Sequence, residues 1–241
     1  MFDNFDIYLD RILLGLPATL WAVFGGIGLT IVLSFAAGIG LLSPRRWVRI
    51  PVRVYVEGFR GSSEIVQLFF FAVALSIFLG IPLAATPLNA LMIGIMVLGL
   101  NHGSYGAEIV RGAVQSVPRA QHEGAVALNF SPAQRMWRVL LPQAVVEMLP
   151  SLNNLFIQLV KGSALLSLIA VPEMTKKADE LRAIPAFAQD LWMIYLTLLV
   201  FYFVISVGIT WIMRLLETLA AARVGRPIPS REKALARGGA A

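Results

Sequence analysis

The chain has 241 residues, of which 58% are hydrophobic and only 14% are charged, and its mean hydropathy is +0.76. Soluble domains carry about 25% charged residues, so this composition excludes an ordinary soluble fold and favours an integral membrane protein. The absence of cysteine excludes disulfides, thiolate metal sites and cysteine nucleophiles.

Long charge-free runs predict the membrane spans. No charged residue occurs between Ile12 and Pro44, between Ile65 and Ala107, or between Leu191 and Met213. About 20 apolar residues suffice to cross a bilayer as a helix. The first run therefore predicts one long or tilted span, and the last run predicts another.

The middle run is about twice the length of one crossing, so it must turn. The turn signals are Gly80-Ile81-Pro82 and Thr86-Pro87, which predict a second span near residues 63–81 and a third near 88–106. A fourth span is predicted from Pro142 through Lys161. The expected fold is an all-α integral membrane protein of about five transmembrane helices, with a membrane domain over 12–216 between a segment 1–11 and a basic tail 217–241.

The basic residues indicate the orientation. Most of the 20 Lys and Arg residues lie between spans one and two, between spans three and four, or after the last span. By the positive-inside rule those segments are cytoplasmic. The segment 1–11 is then external, and the tail 217–241 is cytoplasmic.

The connection 108–138 between spans three and four is much longer than a hairpin needs. Its centre begins with Pro118, which suits a first helical turn, and ends at Asn129-Phe130-Ser131-Pro132. This pattern predicts a short helix of about ten residues outside the membrane. Its apolar residues are too few to form a core, so we expect it to dock on another protein.

This segment resembles the EAA loop of ABC importer permeases, in which Glu-Ala-Ala, three residues, Gly, nine residues and Ile-x-Leu-Pro form a helix that enters a cleft of the ATPase. Here Glu123-Gly124-Ala125 is followed at the same spacing by Asn129 and by Val139-Leu140-Leu141-Pro142. Asn is the residue next most able to replace Gly in a left-handed turn, so the end of the helix should be preserved. The resemblance implies an ATPase-coupling surface made by Gln121, Glu123, Gly124, Ala125, Leu128 and Asn129.

Almost the whole chain resembles the polar amino-acid branch of these permeases, on the evidence of Gly15–Leu20, Tyr55–Gly61, Gln67–Phe70 and Ser104–Ala113. Where that branch usually has Lys-Asp-Thr-Ser-Leu, this chain has Lys161-Gly162-Ser163-Ala164-Leu165. With Ala127–Phe130, this variant is similar to the ectoine and hydroxyectoine permeases.

The resemblance implies a permease subunit in the bacterial inner membrane that imports an amino acid or a compatible solute. It also implies three kinds of partner: a second identical or similar permease, two ATPase subunits and an external solute-binding protein.

Span four carries one polar stripe, because its polar residues are spaced by four, three, four and three positions. The stripe consists of Glu147, Ser151, Asn154, Gln158 and Lys161. A charge at bilayer depth costs at least about 2.5–3.5 kcal/mol, so the stripe cannot comfortably face lipid. We expect it to line the substrate path, with Lys161 or Gln158 near a substrate carboxylate and Asn154 donating hydrogen bonds. Polar contact between helices or subunits is the alternative.

Charged pairs at the ends of two spans predict structural contacts. Glu108 and Arg111 have the i, i+3 spacing of a helical ion pair, and Arg60 and Glu64 have the i, i+4 spacing. We expect Glu108 and Arg111 to hold the exit of span three against the connection 108–138, with substrate contact as the alternative. Arg60 is expected to form a similar structural pair with Glu64 at the entrance to span two.

The sequence contains no recognisable catalytic or metal-binding motif. The two histidines, His102 and His122, have no metal-ligand spacing, and there is no Gly-x-Ser-x-Gly turn or phosphate-binding Gly-x4-Gly-Lys-Ser/Thr loop. The chain is therefore expected to be no enzyme and to bind no metal or cofactor, while a partner ATPase uses ATP and Mg²⁺. The alternative, a self-sufficient secondary transporter, predicts an acidic residue deep in the membrane, and only Glu147, near one end of its span, approaches that.

Overall fold

Helices account for the regular structure of the residues described in this computed structural model, which are 5–79, 86–187 and 189–224. The all-α prediction is therefore confirmed. In chain order the elements are α1 (Phe5–Leu13), α2 (Leu16–Leu41), α3 (Arg46–Arg60), α4 (Glu64–Leu79), α5 (Pro87–Ser116), α6 (Arg119–Ala127), α7 (Pro132–Arg135), a π-helical turn (Met136–Leu140), α8 (Leu141–Gly162), a 3-10 segment (Ser163–Ile169), α9 (Met174–Arg182), a 3-10 turn (Pro185–Phe187) and α10 (Leu191–Val224).

Four helical stretches are long and apolar enough to cross a membrane, namely Phe5–Leu41, Pro87–Ser116, Pro132–Ile169 and Leu191–Val224. The pair α3 and α4, bent by 110° at the break between them, passes the same test when counted together. The sequence-based prediction of about five spans is confirmed.

Several helices run past their predicted ends. The third span continues as α5 to Ser116, so Glu108 and Arg111 lie within the helix and not in the connection. It continues because its buried Ala113 and Val114 still pack against the bundle core. The last span likewise extends to Val224, into the segment predicted as the tail.

The predicted turn before the third span is described only at its end. Thr86 caps α5 by accepting a hydrogen bond from the backbone N–H of Asn89 at 3.2 Å, and Pro87 occupies the first helical position. Gly80-Ile81-Pro82 lies outside the described residues, as do 1–4 and 225–241 of the two terminal segments.

The helices α2 and α5 run parallel in close contact. Gly26 of α2 lies against Leu98, and Gly38 lies against Val110, where an added Cβ would be only 2.7 Å from the Val110 Cβ. Small residues let membrane helices approach in this way. Helix α8 packs on the same pair and runs antiparallel to α5, since Leu155 lies against Gly106 while Leu166, just beyond the end of α8, lies against Gly94.

A second apolar cluster joins α1 to α9 and α10. It buries Tyr8 and Ile12 of α1 against Met174, Ala178 and Ile194. Since Gly15, at the start of α2, lies against the backbone of Glu173, this cluster lies at the end of the bundle where α2 begins. The connection that follows α5 lies at the opposite end. Part of the predicted segment 1–11 is therefore a packed helix from Phe5 onward.

Candidate functional site

A polar pocket of about 400 Å³ lies where α4, α5 and α8 meet. Its lining includes the predicted Gln158 and Lys161. The remaining lining residues, which the sequence interpretation did not assign to this site, are Ser62, Glu64, Asn101, His102, Tyr105, Gly162 and Leu165. Helical spacing indicates only which residues share a face of one helix, so it could not show that these separate segments meet.

A hydrogen-bonded amide pair holds the corner of the pocket. The Asn101 side-chain nitrogen donates to Gln67 Oε1 at 2.9 Å. The Gln67 amide nitrogen donates in turn to the Phe59 carbonyl at 2.9 Å and to Ser62 Oγ at 2.8 Å. The two amides, both buried, thereby tie the break between α3 and α4 to the middle of α5.

The carboxylate of Glu64 is the unsatisfied group of the pocket. Its Oε1 atom is buried and has no hydrogen-bond partner in the described part of the chain. His102 Nδ1 lies 3.7 Å away, but it is closer to the Leu98 carbonyl, at 3.1 Å. A buried acceptor left unpaired costs about 1–3 kcal/mol, so the pocket is suited to a ligand that donates a hydrogen bond there.

Lys161 supplies the opposite charge. Its side chain is exposed, and among the described residues it makes no ion pair or hydrogen bond. The pocket therefore offers a carboxylate and an ammonium group that are both free to bind a ligand.

The predicted polar stripe is confirmed as one exposed face of α8, since Glu147, Ser151, Asn154, Gln158 and Lys161 are all exposed. The opposite face, which includes Met148, Leu152 and Leu159, is buried in the core. Gln158 and Lys161 line the polar pocket, whereas Asn154 lies on the same stripe outside its lining.

A larger cavity of about 670 Å³ lies on the other side of Lys161, between α8, α9 and α10. Its lining is mainly apolar, with residues such as Leu198, Leu199 and Phe203. A small polar ligand is recognised by a few convergent polar groups. We therefore assign the candidate site to the smaller polar pocket, with Lys161 between the two cavities.

The short helix predicted after Pro118 is confirmed as α6. Asn129 follows it in the left-handed conformation, with φ 57°. The Phe130 N–H donates to the Ala125 carbonyl at 3.0 Å, and the Asn129 N–H donates to the Val126 carbonyl at 2.9 Å. These two bonds form a Schellman motif, so Asn129 does end the helix in the way that its residue type predicts.

Most of the predicted coupling residues are accessible on α6 and just after it. Gln121, Glu123, Gly124, Leu128 and Asn129 are exposed, and the Leu128 side chain retains 70% of its accessible surface.

Ala125 differs from the other predicted coupling residues because it is only 4% exposed. The rest of this chain covers its side chain, whereas its neighbours on α6 remain accessible. The sequence interpretation missed two exposed apolar side chains of this region, Val126 and Trp137.

Glu108 connects the other two residues that were predicted to be structural, Arg60 and Arg111. It accepts from Arg111 at 2.6 Å, and one of its oxygens lies 3.9 Å from Arg60. The Arg60 guanidinium also lies over the Tyr105 ring, 5.3 Å from its centroid.

The predicted pairing of Arg60 with Glu64 is wrong, because Arg60 ends α3 and Glu64 begins α4. The 110° bend between these helices removes the i, i+4 geometry on which the pairing depended. Arg60 lies beside Glu108 instead, and Glu64 lies beside His102.

Comparison with known proteins supports the resemblance to ABC importer permeases. Residues 16–220 match the family described as binding-protein-dependent transport system inner membrane component. The chain is 45% identical over 203 residues to a probable amino-acid ABC transporter permease of Sinorhizobium fredii, covering 83% of this chain and 81% of that protein. It is 33% identical over 208 residues to the glutamine transport system permease GlnP of Escherichia coli, covering 84% and 90%.

Solved structures agree with the fold. A crystal structure of an amino acid ABC transporter with histidines superimposes with a TM-score of 0.78 at 28% identity, covering 90% of this chain and 98% of that chain. The methionine transporter MetNI, in an inward-facing conformation, gives a TM-score of 0.70 at 20% identity, covering 89% and 99%.

Proposed function

The chain belongs to the family of binding-protein-dependent transport system inner membrane components, and we infer that this ABC importer permease passes a zwitterionic amino acid through the pocket between α4, α5 and α8. The observation that carries the inference is the unpaired Glu64 carboxylate in a pocket that Lys161 also lines. An amino acid presents an ammonium group and a carboxylate at a fixed short separation. The two side chains provide one partner for each group.

Each group of the ligand has a stated partner. Lys161, with Gln158 beside it on α8, binds the substrate carboxylate, and Glu64 accepts from the substrate ammonium group. Asn154, further along the exposed stripe towards the start of α8, lines the route by which the substrate leaves. The polar stripe cannot face lipid at low cost, which supports a water-filled path or a second permease subunit against this face.

The energy comes from partner subunits. Glu123, Gly124 and Leu128 dock in the cleft of an ATPase that binds ATP and Mg²⁺, and closure of that ATPase drives alternating access. Consistent with the positive-inside rule, α6 is cytoplasmic, the N-terminus is external and the basic tail is cytoplasmic. An external solute-binding protein delivers the substrate at the end of the bundle formed by α1 and α9.

A compatible solute such as ectoine is the second candidate substrate. The observation that favours it is Gly162, where an added Cβ would lie 3.0 Å from Glu64 Oε1. The Asp that the amino-acid branch usually carries at this position would place a second carboxylate against Glu64, so the two acids are poorly compatible. The charge pattern of the pocket therefore differs from that of the ordinary branch, although it still suits a zwitterion.

The deciding experiment is uptake by the complete transporter, reconstituted with its ATPase and binding protein. A charge-assisted hydrogen bond contributes about 1.5–3 kcal/mol, so Lys161→Met should weaken apparent substrate affinity roughly 10- to 150-fold. Arg223→Gln, which removes an exposed positive charge in the last turn of α10, is the control. Unchanged affinity in a normally assembled Lys161→Met transporter contradicts the assignment, and competition between ectoine and amino acids distinguishes the two substrates.

A further inference from the structure

Helix α3 packs on the bundle through only one of its faces. Val52, Tyr55, Val56 and Phe59 are the residues that this chain covers fully or in part. Val52 lies against Gly40 of α2, and Tyr55 donates its hydroxyl hydrogen to the Leu100 carbonyl at 2.8 Å. The rest of this 15-residue helix projects away from the bundle.

The uncovered surface of α3 divides into an apolar face and a basic face. Trp47 and Val54 are seven residues apart, so they lie on the same side of the helix, and they are 92% and 67% exposed. The basic face consists of Arg46, Arg49 and Arg53, which recur at intervals of three and four and are all exposed. Arg53 pairs with the exposed Glu57 at 3.0 Å, but such surface pairs are weak and leave the face basic.

The direction of α3 suits the surface of a membrane. It is bent by 110° from the apolar helix α4, which contacts α5, so α3 is within about 20° of perpendicular to α4. Each exposed arginine would cost at least about 2.5–3.5 kcal/mol in the hydrocarbon core, which argues against α3 as a lipid-facing transmembrane segment. Arg60, at its end, reaches Glu108 of α5, beyond the level of the pocket in the direction of α6.

We propose that α3 lies in the membrane interface, with Trp47 and Val54 among the acyl chains and Arg46, Arg49 and Arg53 bound to anionic lipid headgroups. Amphipathic helices with basic polar faces bind anionic bilayers in this orientation. Each basic residue near such a surface contributes on the order of a fivefold gain in affinity. The inference rests on the proposed function only for the side of the membrane, which is the cytoplasmic leaflet because α6 is cytoplasmic.

The depth of α3 is tested in the complete transporter, in nanodiscs of phosphatidylcholine with phosphatidylglycerol. Since the chain has no cysteine, Trp47→Cys and Val54→Cys each accept a single nitroxide label. We expect both labels to collide more often with oxygen than with a water-soluble nickel chelate. If a label collides more often with the nickel chelate than with oxygen, this face lies in water. If dipolar broadening appears between two labelled copies, this face lies against a second permease. Either result overturns the proposal.

The lipid charge is tested with spin-labelled phosphatidylglycerol and phosphatidylcholine. We expect the unmodified transporter to prefer phosphatidylglycerol several-fold, and the triple variant R46Q/R49Q/R53Q to lose most of that preference. K176Q/K177Q/R182Q, which removes three charges from α9, is the matched control. An unchanged preference in the first variant, or an equal loss in the control, refutes the proposal. Lipid contact is measured without transport, so a failed uptake assay contradicts the pocket assignment and leaves this result intact.

Discussion

Introducing an aspartate at Gly162 tests the pocket most directly. A Cβ at this position would lie 3.0 Å from Glu64 Oε1 and 3.4 Å from Oε2. Gly162→Asp therefore places a second carboxylate beside the first, while Gly162→Ala adds only the Cβ. The comparison of the two variants separates charge from crowding.

The expected magnitude follows from the separation of the charges. An aspartate carboxylate at position 162 would lie on the order of 5 Å from that of Glu64, where two unit charges interact by about 3 kcal/mol at an effective dielectric constant of 20. Gly162→Ala requires the flexible Glu64 side chain to move by a few tenths of an ångström, and the roughly 1 kcal/mol by which Ala is favoured over Gly in a helix offsets this crowding. Gly162→Asp should thus destabilise the pocket by about 2–3 kcal/mol more than Gly162→Ala.

The assay is a double-mutant cycle with Glu64→Gln, read by thermal unfolding in detergent and by the affinity of reconstituted uptake. Glu64→Gln removes the repelling charge, so it should recover most of the stability that Gly162→Asp loses. Uptake affinity in Gly162→Asp should recover only in part, since one pocket carboxylate has been exchanged for another. If Gly162→Asp behaves like Gly162→Ala in both backgrounds, the two side chains do not meet and the account of the pocket is wrong.

The remaining predictions concern the coupling loop and the external end. At Asn129, with φ 57°, Asn129→Gly should keep ATPase coupling, whereas Asn129→Val should cost about 1–2 kcal/mol and reduce transport-linked ATP hydrolysis. Leu128→Asp should lower co-purification of the ATPase without lowering the thermal stability of the permease, because Leu128 is exposed in this chain. Burial raises the pKa of Glu173, although hydrogen bonds from two backbone N–H groups and from Tyr202 partly oppose this rise. The folded chain then holds that proton more tightly than the unfolded chain. The stability that this group contributes should be greatest below its ordinary pKa of 4.5 and should decline as the pH rises towards the raised value. The variant Glu173→Gln should show no such decline.

The features that the sequence predicted well are local ones. The end of α6 depends on Asn129 and its immediate neighbours, and the polar stripe of α8 depends on spacing within one helix, so both could be read from consecutive residues. The pairing of Arg60 with Glu64 failed because it assumed one continuous helix where the chain bends by 110°.

The pocket could not be assembled from sequence because it depends on how separate helices pack. Asn101 and His102 line the same pocket as Glu64, and the position of α5 that brings them there depends on its close contact with α2 through glycines such as Gly38. Helical periodicity identifies which side of α5 is polar. It carries no information on which neighbouring helix completes the site.

The same helix connects the pocket to the coupling surface. Helix α5 is continuous from Pro87 to Ser116; it carries Asn101 in the pocket and leads directly into α6. The ion pairs of Glu108 join Arg60, at the break between α3 and α4, to Arg111, nearer to α6. If an ATPase moves α6 as proposed, we expect the movement to reach α5 and the corner that holds Glu64, because packed helices move as units rather than deforming continuously. The structural role expected for Glu108 and Arg111 therefore includes a testable consequence: together with Arg60 they form a chain of ion pairs between the break after α3 and the part of α5 that leads to α6.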